Sequence, residues 1–305
     1  MTGRYQPGLV TVIIPTYNRA GVLGRAIRSV LAQTYPDFEI IVVDDGSTDD
    51  TERVVHCFRD SRIRYTRHDT NKGGNTARNT GIRAARGRFI AFLDSDDEYL
   101  PQRLENTVSV LEASPAQVGV VYSNFLITRG GGARPHLTCG VSGDIYIDEL
   151  HHNYVSVCAA LVKKECLEDD VFDEALPAFQ DWELWIRLSR KYHFIYVDVP
   201  LFIWHCEENG PARTSRNPHK LLMGNRMMLD KHGVEFKRHP RIHAQLLYNI
   251  GHNLCKLRDV RGGRGYFRRS FGCYPRNLKP AVAWILSLAG SRFYTGIVGL
   301  RQRCQ

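Results

Sequence analysis

The stretch Arg88–Leu100, R-F-I-A-F-L-D-S-D-D-E-Y-L, decides how this chain is read. Five of its first six residues, Phe89, Ile90, Ala91, Phe92 and Leu93, are apolar, which suits a strand buried on both faces of a sheet. Asp94, Ser95, Asp96 and Asp97 follow at once and place three carboxylates beside that core. Such a cluster is costly unless a cation or polar partner offsets it. Hard oxygen donors this close together suit Mg2+ or Mn2+, which keep open positions for water and phosphate. The other reading is an Asp-rich turn that opens a helix at Pro101, with Asp97 or Glu98 at its positive end. The stretch alone leaves both open.

Working outward, Leu9–Ile14 is a β-branched strand ended by Pro15, and Val22, Leu23, Ala26, Ile27, Val30 and Leu31 then recur at helical spacing. Glu39–Val43 gives a second buried strand that closes on Asp44, Asp45 and Gly46. Ser47, three residues before Asp50, is the expected N-cap of the next helix. Ile63–Thr66 reads as a short strand, Asn75–Ala85 as a helix and Arg88–Leu93 as the fourth strand. This alternation predicts an α/β fold with a mostly parallel sheet flanked by helices. Ligands of such sheets bind beyond the carboxyl ends of the strands. Here those ends carry Pro15, Thr16, Tyr17, Asn18 and Arg19, then Asp44 and Asp45, then Asp94, Asp96 and Asp97. An aromatic ring, a carboxylate acceptor and an acidic cluster on one edge are the parts that hold a base, a ribose and a diphosphate. That convergence favours the cation over the turn.

Further along, Val118–Thr128 and Cys158–Val162 read as strands, Phe179–Leu188 as a helix with Asp181 at its start, and Phe194–Trp204 as a last strand. Asp181 is either a helix cap or a reacting group. After Asn217 come four helical stretches, Lys220–His232, Ile242–Arg258, Gly262–Phe271 and Leu278–Leu288, so residues 217–305 form a helical extension behind a domain of residues 1–216.

The net charge of +9 is uneven. From Leu201 onward 19 Lys and Arg face 5 Asp and Glu, whereas the first 200 residues hold 22 against 27. Such a basic tail suits nucleotide phosphates, nucleic acid or anionic lipid head groups. The eight cysteines, Cys57, Cys139, Cys158, Cys166, Cys206, Cys255, Cys273 and Cys304, include no C-x-x-C pair and read as reduced thiols. The N-terminus carries no apolar signal segment and no run is long enough to span a bilayer, which predicts a cytoplasmic protein.

In combination these residues resemble a family 2 glycosyltransferase of the GT-A (Rossmann-like) fold over about residues 8–216. The motifs, in order, are V-T-V-I-I-P-T-Y-N-R, I-I-V-V-D-D-G-S-T-D-D-T, N-K-G-G-N-T-A-R-N-T-G-I-R-A-A-R-G, F-L-D-S-D-D and D-W-E-L-W. The resemblance implies an inverting enzyme that moves a sugar from a nucleoside-diphosphate sugar, a UDP-sugar by preference, to a glycan or polyprenyl-linked acceptor with Mn2+ or Mg2+. Tyr17 would stack on the base and Asp45 would accept from its imide N–H, with Pro15, Thr16 and Arg19 lining the pocket. Lys72, Asn75 and Arg78 would border the ribose and phosphates, although Lys72 and Arg78 also fit a solvated helix face. Asp94 and Ser95 would lie against the diphosphate. Asp96, seconded by Asp94 or Asp97, would hold the metal, with His205 as a further contact. Arg213 and Ser215 would clamp the diphosphate. The implied base is Asp181, with Glu183 as fallback; Gln180 departs from the family pattern, in which an acid often stands there.

Against a dinucleotide enzyme stands P-T-Y-N-R-A-G after the first strand, which has no G-x-G-x-x-G. The alternative in kind is a catalytically degenerate member serving as a binding or scaffold protein. The tail, with Trp284, Phe293 and Tyr294 near apolar runs, suits peripheral contact at the inner face of the cytoplasmic membrane, a cap on the domain or an oligomer contact. Nucleic acid is not an expected partner.

Overall fold

The computed structural model describes residues 5–129, 132–136, 140–169, 171–206 and 217–290, with positions 294 and 296. Strands and helices alternate first: β1 (Gln6–Thr16), α1 (Ala20–Leu31), β2 (Phe38–Asp44), α2 (Thr51–His56), β3 (Ile63–Arg67), α3 (Gly74–Ala84) and β4 (Gly87–Phe92). β2 is buried along its whole length, and Leu23, Ala26, Ile27 and Val30 form the buried stripe of α1. There follow β5 (Glu98–Tyr99), α4 (Arg103–Ala113), β6 (Val118–Arg129), β7 (Gly132–His136), α5 (Tyr146–His151), β8 (Leu161–Lys163), α6 (Gln180–Ser189) and β9 (His193–His205).

Among the described residues nine strands join in one sheet, in the order β3-β2-β1-β4-β8-β6-β9-β5, with β7 on β6. β3, β2, β1 and β4 run parallel. Beyond β4 the sheet is mixed: β8 is antiparallel to β4 and to β6, while β6 and β9 are parallel. The α/β architecture expected from the alternation is therefore present, its parallel character concentrated in the first 92 residues.

Three local readings change. The apolar run Cys158–Val162 is a 3-10 turn at Val157–Ala159 followed by a strand of three residues, Leu161–Lys163. The turn aims the Cys158 thiol at the backbone of Asp94, whose N–H it accepts at 3.3 Å. No helix opens at Pro101: α4 begins at Arg103 behind Gln102, and Glu98–Tyr99 is instead an edge strand on Ile203 and Phe202. The acidic cluster is thus not a helix cap. Nor does Ser47 cap α2, whose N-cap is Asp50 without a side-chain bond; the Ser47 hydroxyl accepts the Asn18 N–H at 2.8 Å.

The chain divides into two compact units, one of Met1–Glu174 with Asp181–Gly210 and one of Ala175–Gln180 with Pro211–Gln305. The second contains α7 (Pro218–Arg238), α8 (Pro240–Lys256), α9 (Val260–Cys273) and α10 (Lys279–Leu288). Asn217 caps α7 by accepting the N–H groups of His219 and Lys220 at 3.0 and 3.2 Å, and Pro218 fits the first turn, where no donor is needed. Cys255, Phe267, Ala283 and Tyr294 make a buried cluster, with Trp284 packed against it. Tyr294 is therefore an inward residue rather than an interfacial aromatic. Phe293, Arg213 and Ser215 lie outside the described residues.

Gly46, just after β2, has φ +82°, and a Cβ there would lie 2.9 Å from the Thr70 carbonyl carbon. Gly46→Ala is expected to cost about 1–3 kcal/mol through strain and crowding, read as a lowered Tm.

Candidate active site

The carboxyl ends of β1, β2 and β4 lie side by side. Thr16 pairs with Asp44, and Ile13 pairs with both Ile41 and Phe92. Beyond the strands, Asp45 N–H donates to the Thr16 carbonyl at 2.8 Å and Leu93 N–H to the Ile13 carbonyl at 3.0 Å. The loops after β1 and β2 are then stitched together. Asn18, in the left-handed region at φ 51°, accepts the Thr48 N–H at 2.8 Å. Ala20 N–H donates to Asp49 Oδ2 at 3.0 Å and Arg19 N–H to Thr51 Oγ1 at 3.2 Å. Tyr17 is left 43% exposed, its ring open to stack, and the buried Thr16 hydroxyl has no hydrogen-bond partner. Pro15 is half-buried beside it.

Asp45 is buried, and its carboxylate holds the loop after β3. Oδ1 accepts the Lys72 N–H at 2.9 Å and bonds His68 Nδ1 at 2.8 Å, while Oδ2 accepts the Gly73 N–H at 2.7 Å. His68 in turn reaches Thr80 through Nε2 at 3.0 Å. Lys72 enters through its backbone, its side chain being exposed. Asn75 is buried and donates to the Asp173 carbonyl at 2.8 Å.

At the end of β4 the acidic residues separate by role. Asp94 accepts from Arg78 Nη2 at 2.6 Å. Arg78 is not on a solvated face: it is buried in α3, and its Nε has no hydrogen-bond partner. Burial works against its charge, but Asp94, with Cys158 and Asp181, more than offsets this and holds its pKa above the ordinary value. Asp97 is buried, accepts the His205 N–H on Oδ1 at 3.1 Å and the Cys158 thiol on Oδ2 at 3.7 Å. Asp96 is turned toward Arg19, 3.7 Å away, and its carbonyl accepts from Arg25. Ser95 is buried between them in sequence.

Among the described residues, ligand atoms of Asp94, Asp97 and Cys158 lie within 4.8 Å of one another. Burial, then the nearby Asp94 and Asp97 carboxylates, push the Cys158 thiol well above its ordinary pKa. The donors that suit a hard divalent cation are the carboxylates. The ring of His205 is engaged elsewhere, Nε2 with Glu98 at 3.1 Å and Nδ1 with Thr128 Oγ1 at 3.3 Å. It is placed as a hydrogen-bonded residue at a strand end.

Asp181 opens α6 two residues after Phe179, which has φ 65°. Its Oδ1 accepts the Trp182 N–H at 2.8 Å and its Oδ2 the Asn153 amide at 3.2 Å. Burial raises its pKa above the ordinary carboxylate value, against the Trp182 N–H, Asn153 and the Arg78 charge. Asp181 and Asp94 thus share one guanidinium. Glu183 is buried and bound by Arg187 at 2.9 to 3.0 Å, which removes it as a free base.

His68, Cys158, Glu149 and Asn153 were not singled out from the sequence. Glu149 is fully buried, accepts the Tyr154 N–H at 3.1 Å on Oε1, and leaves Oε2 without a hydrogen-bond partner. Burial raises its pKa well above the ordinary value, with Asp181 adding to the shift. As pH rises through the ordinary carboxylate range the unfolded chain releases a proton that folded Glu149 retains, so stability falls up to the raised pKa. Glu149→Gln is expected to melt higher than the wild type at about pH 8 and to lose less Tm between about pH 4 and pH 8. Calorimetric scans across that range check it.

Residues 11–168 match the family model described as Glycosyl transferase family 2. The chain is 46% identical over 226 residues to the succinoglycan biosynthesis protein ExoO of Rhizobium meliloti, covering 69% of this chain and 64% of that one. It is 42% identical over 119 residues to the UDP-Glc:alpha-D-GlcNAc-diphosphoundecaprenol beta-1,3-glucosyltransferase WfgD of Escherichia coli, covering 39% and 46%. The chain spans 32% to 64% of the length of the curated relatives it matches. S. aureus TarS, residues 1–349, solved with UDP-GlcNAc, superposes with TM-score 0.65 at 18% identity over 97% of this chain and 92% of that one. The mannosyltransferase PcManGT of Pyrobaculum calidifontis, solved with GDP-Man and Mn2+, gives 0.59 at 22% identity over 92% and 79%. These two likenesses establish the GT-A fold. With a sheet edge that gathers the motif residues and a family match over half its length, the chain belongs to glycosyl transferase family 2.

Proposed function

We propose that this chain transfers a sugar, with inversion, from a nucleoside-diphosphate sugar to a hydroxyl of a glycan or lipid-linked acceptor, and that Asp181 is the base. The observation that carries the reading is the buried Arg78 guanidinium, which bonds Asp94 at 2.6 Å and lowers the pKa of Asp181. One charge thereby relates the acidic end of β4 to the carboxylate at the start of α6. A UDP-sugar donor is supported by the names of WfgD and of the TarS complex. A diphosphoundecaprenol-linked acceptor is supported by the name of WfgD.

The placements support the following roles. Tyr17 stacks on the base, and Thr16 and Arg19 line its pocket. Asp45 fixes the loop of Lys72 and Gly73 and keeps a lone pair for the base imide, since a carboxylate can accept about four bonds. Asp94, with Asp96 and Asp97 beside it in the turn, would hold Mn2+ or Mg2+. When bound, that cation offsets the charge that grows on the departing diphosphate. The acceptor oxygen bonds the anomeric carbon as the carbon–oxygen bond to the diphosphate breaks, and the hydroxyl proton passes to a carboxylate oxygen of Asp181. Burial makes Asp181 a stronger base than an exposed carboxylate, and the Trp182 N–H, Asn153 and Arg78 favour its ionised form.

Asp181→Asn is expected to lower kcat by about 10²- to 10⁴-fold while UDP-sugar binding persists. Asp94→Asn is expected to remove the Mn2+-dependent part of the thermal shift given by UDP-sugars. Full transfer activity in Asp181→Asn, read by quenched-flow product formation, overturns the assignment of the base.

A further inference from the structure

We infer that the outer face of α10 is a docking surface for an anionic phospholipid bilayer. The inference goes beyond the proposed transfer reaction and does not rest on it. α10 reads K-P-A-V-A-W-I-L-S-L, with Lys279 and Ser287 its only charged or hydroxyl side chains. Pro280, Ala283 and Ser287 are its buried residues. At 100° per residue they mark one direction, and the opposite side carries Leu278, Val282 and Ile285, with Leu288 at its edge. These four are 65%, 45%, 59% and 53% exposed. A surface helix of a water-soluble fold turns polar residues outward, whereas a helix apolar on every side has a second apolar environment.

The charge around the stripe states what that environment is. From Val260 to Leu288 the chain carries six Lys and Arg and no Asp or Glu. Arg276 and Lys279 flank Leu278 and are exposed with it, as are Arg261, Arg268 and Arg269 on α9. Phe271, near the end of α9, is 36% exposed. An aliphatic stripe about 15 Å long among uncompensated cations matches the boundary between acyl chains and anionic head groups. Two copies of so basic a segment repel each other, and four side chains are too few for a standard protein interface of about 800 Å² per partner. No helix among the described residues is long and apolar enough to cross a membrane, so the contact lies in the plane of the surface.

The test is flotation of the full chain on density gradients with vesicles of phosphatidylcholine, alone or mixed with phosphatidylglycerol. The expected result is flotation with the anionic vesicles only, weakened by raising salt from about 0.1 to about 0.5 M. The double variant Ile285→Asp with Leu288→Asp is expected to lower that partitioning by about tenfold or more, because it replaces inserted aliphatic groups and adds like charge to the anionic surface. Met223→Ser, at an exposed apolar position of α7, is expected to leave it unchanged. Circular dichroism melting verifies that the variants fold. Absence of flotation with anionic vesicles overturns the inference, as does flotation that survives the double variant. Sedimentation that shows a dimer lost in the same variant also overturns it and assigns the face to a second copy of the chain. Because no donor or acceptor is present, failure here leaves the proposed reaction standing.

Discussion

A buried guanidinium is costly to desolvate and needs acceptors or opposite charge to offset that cost. Arg78 meets that condition with Asp94 at 2.6 Å and with Asp181 within electrostatic reach, and much of the site follows from it. To bring Arg78 inward, α3 must bury a polar face, and the neighbours of Arg78 on that face are consumed by one segment. Asn79 donates to the Phe172 carbonyl at 2.9 Å and accepts the Phe172 N–H at 3.0 Å. Asn75 bonds the Asp173 carbonyl, and Thr76 bonds Glu174 at 3.0 Å. The helix that supplies the guanidinium thereby fixes the segment that ends seven residues before Asp181. A polar helix face bound in this way orders chain as a hydrophobic stripe would, through directed hydrogen bonds.

This also explains what could be read from the amino-acid order and what could not. β1, β2 and β4 are continuous apolar runs because both faces of each are covered, and their ends are legible as turns of Asp, Gly and Asn. The face of α3 is not legible by the same rule. Its period assigns Asn75, Arg78 and Asn79 to solvent, and the partners that bury them lie more than 90 residues away for the two asparagines. Arg78 therefore entered through family resemblance, with a solvated face as its rival. The run Val157–Val162 is apolar enough for a long strand, yet half of it is a 3-10 turn. Short apolar runs do not carry their own backbone geometry. Glu149 gave no signal, since a carboxyl buried without compensation is the residue that patterning places outside.

The helices of the second unit follow the same logic. Their extents are close to those read from periodicity because Asn217 and Asp259 cap two of them and prolines open three. Which side of α10 faces inward could not be read, because a helix that is apolar all round has no preferred side in sequence. Packing decides: Tyr294 is drawn into the cluster around Phe267, and Leu278, Val282, Ile285 and Leu288 remain outside.

Opposing influences meet at the Asp181 carboxylate. Burial raises its pKa, while Asn153, the Trp182 N–H and Arg78 oppose the rise. Glu149 would add to the rise only when ionised, and its own burial opposes that ionisation. The opposition to burial comes first from the Trp182 N–H and Asn153 and then from the Arg78 charge. Arg78 bonds Asp94 directly and reaches Asp181 through its charge, so one side chain is common to both ends of the site.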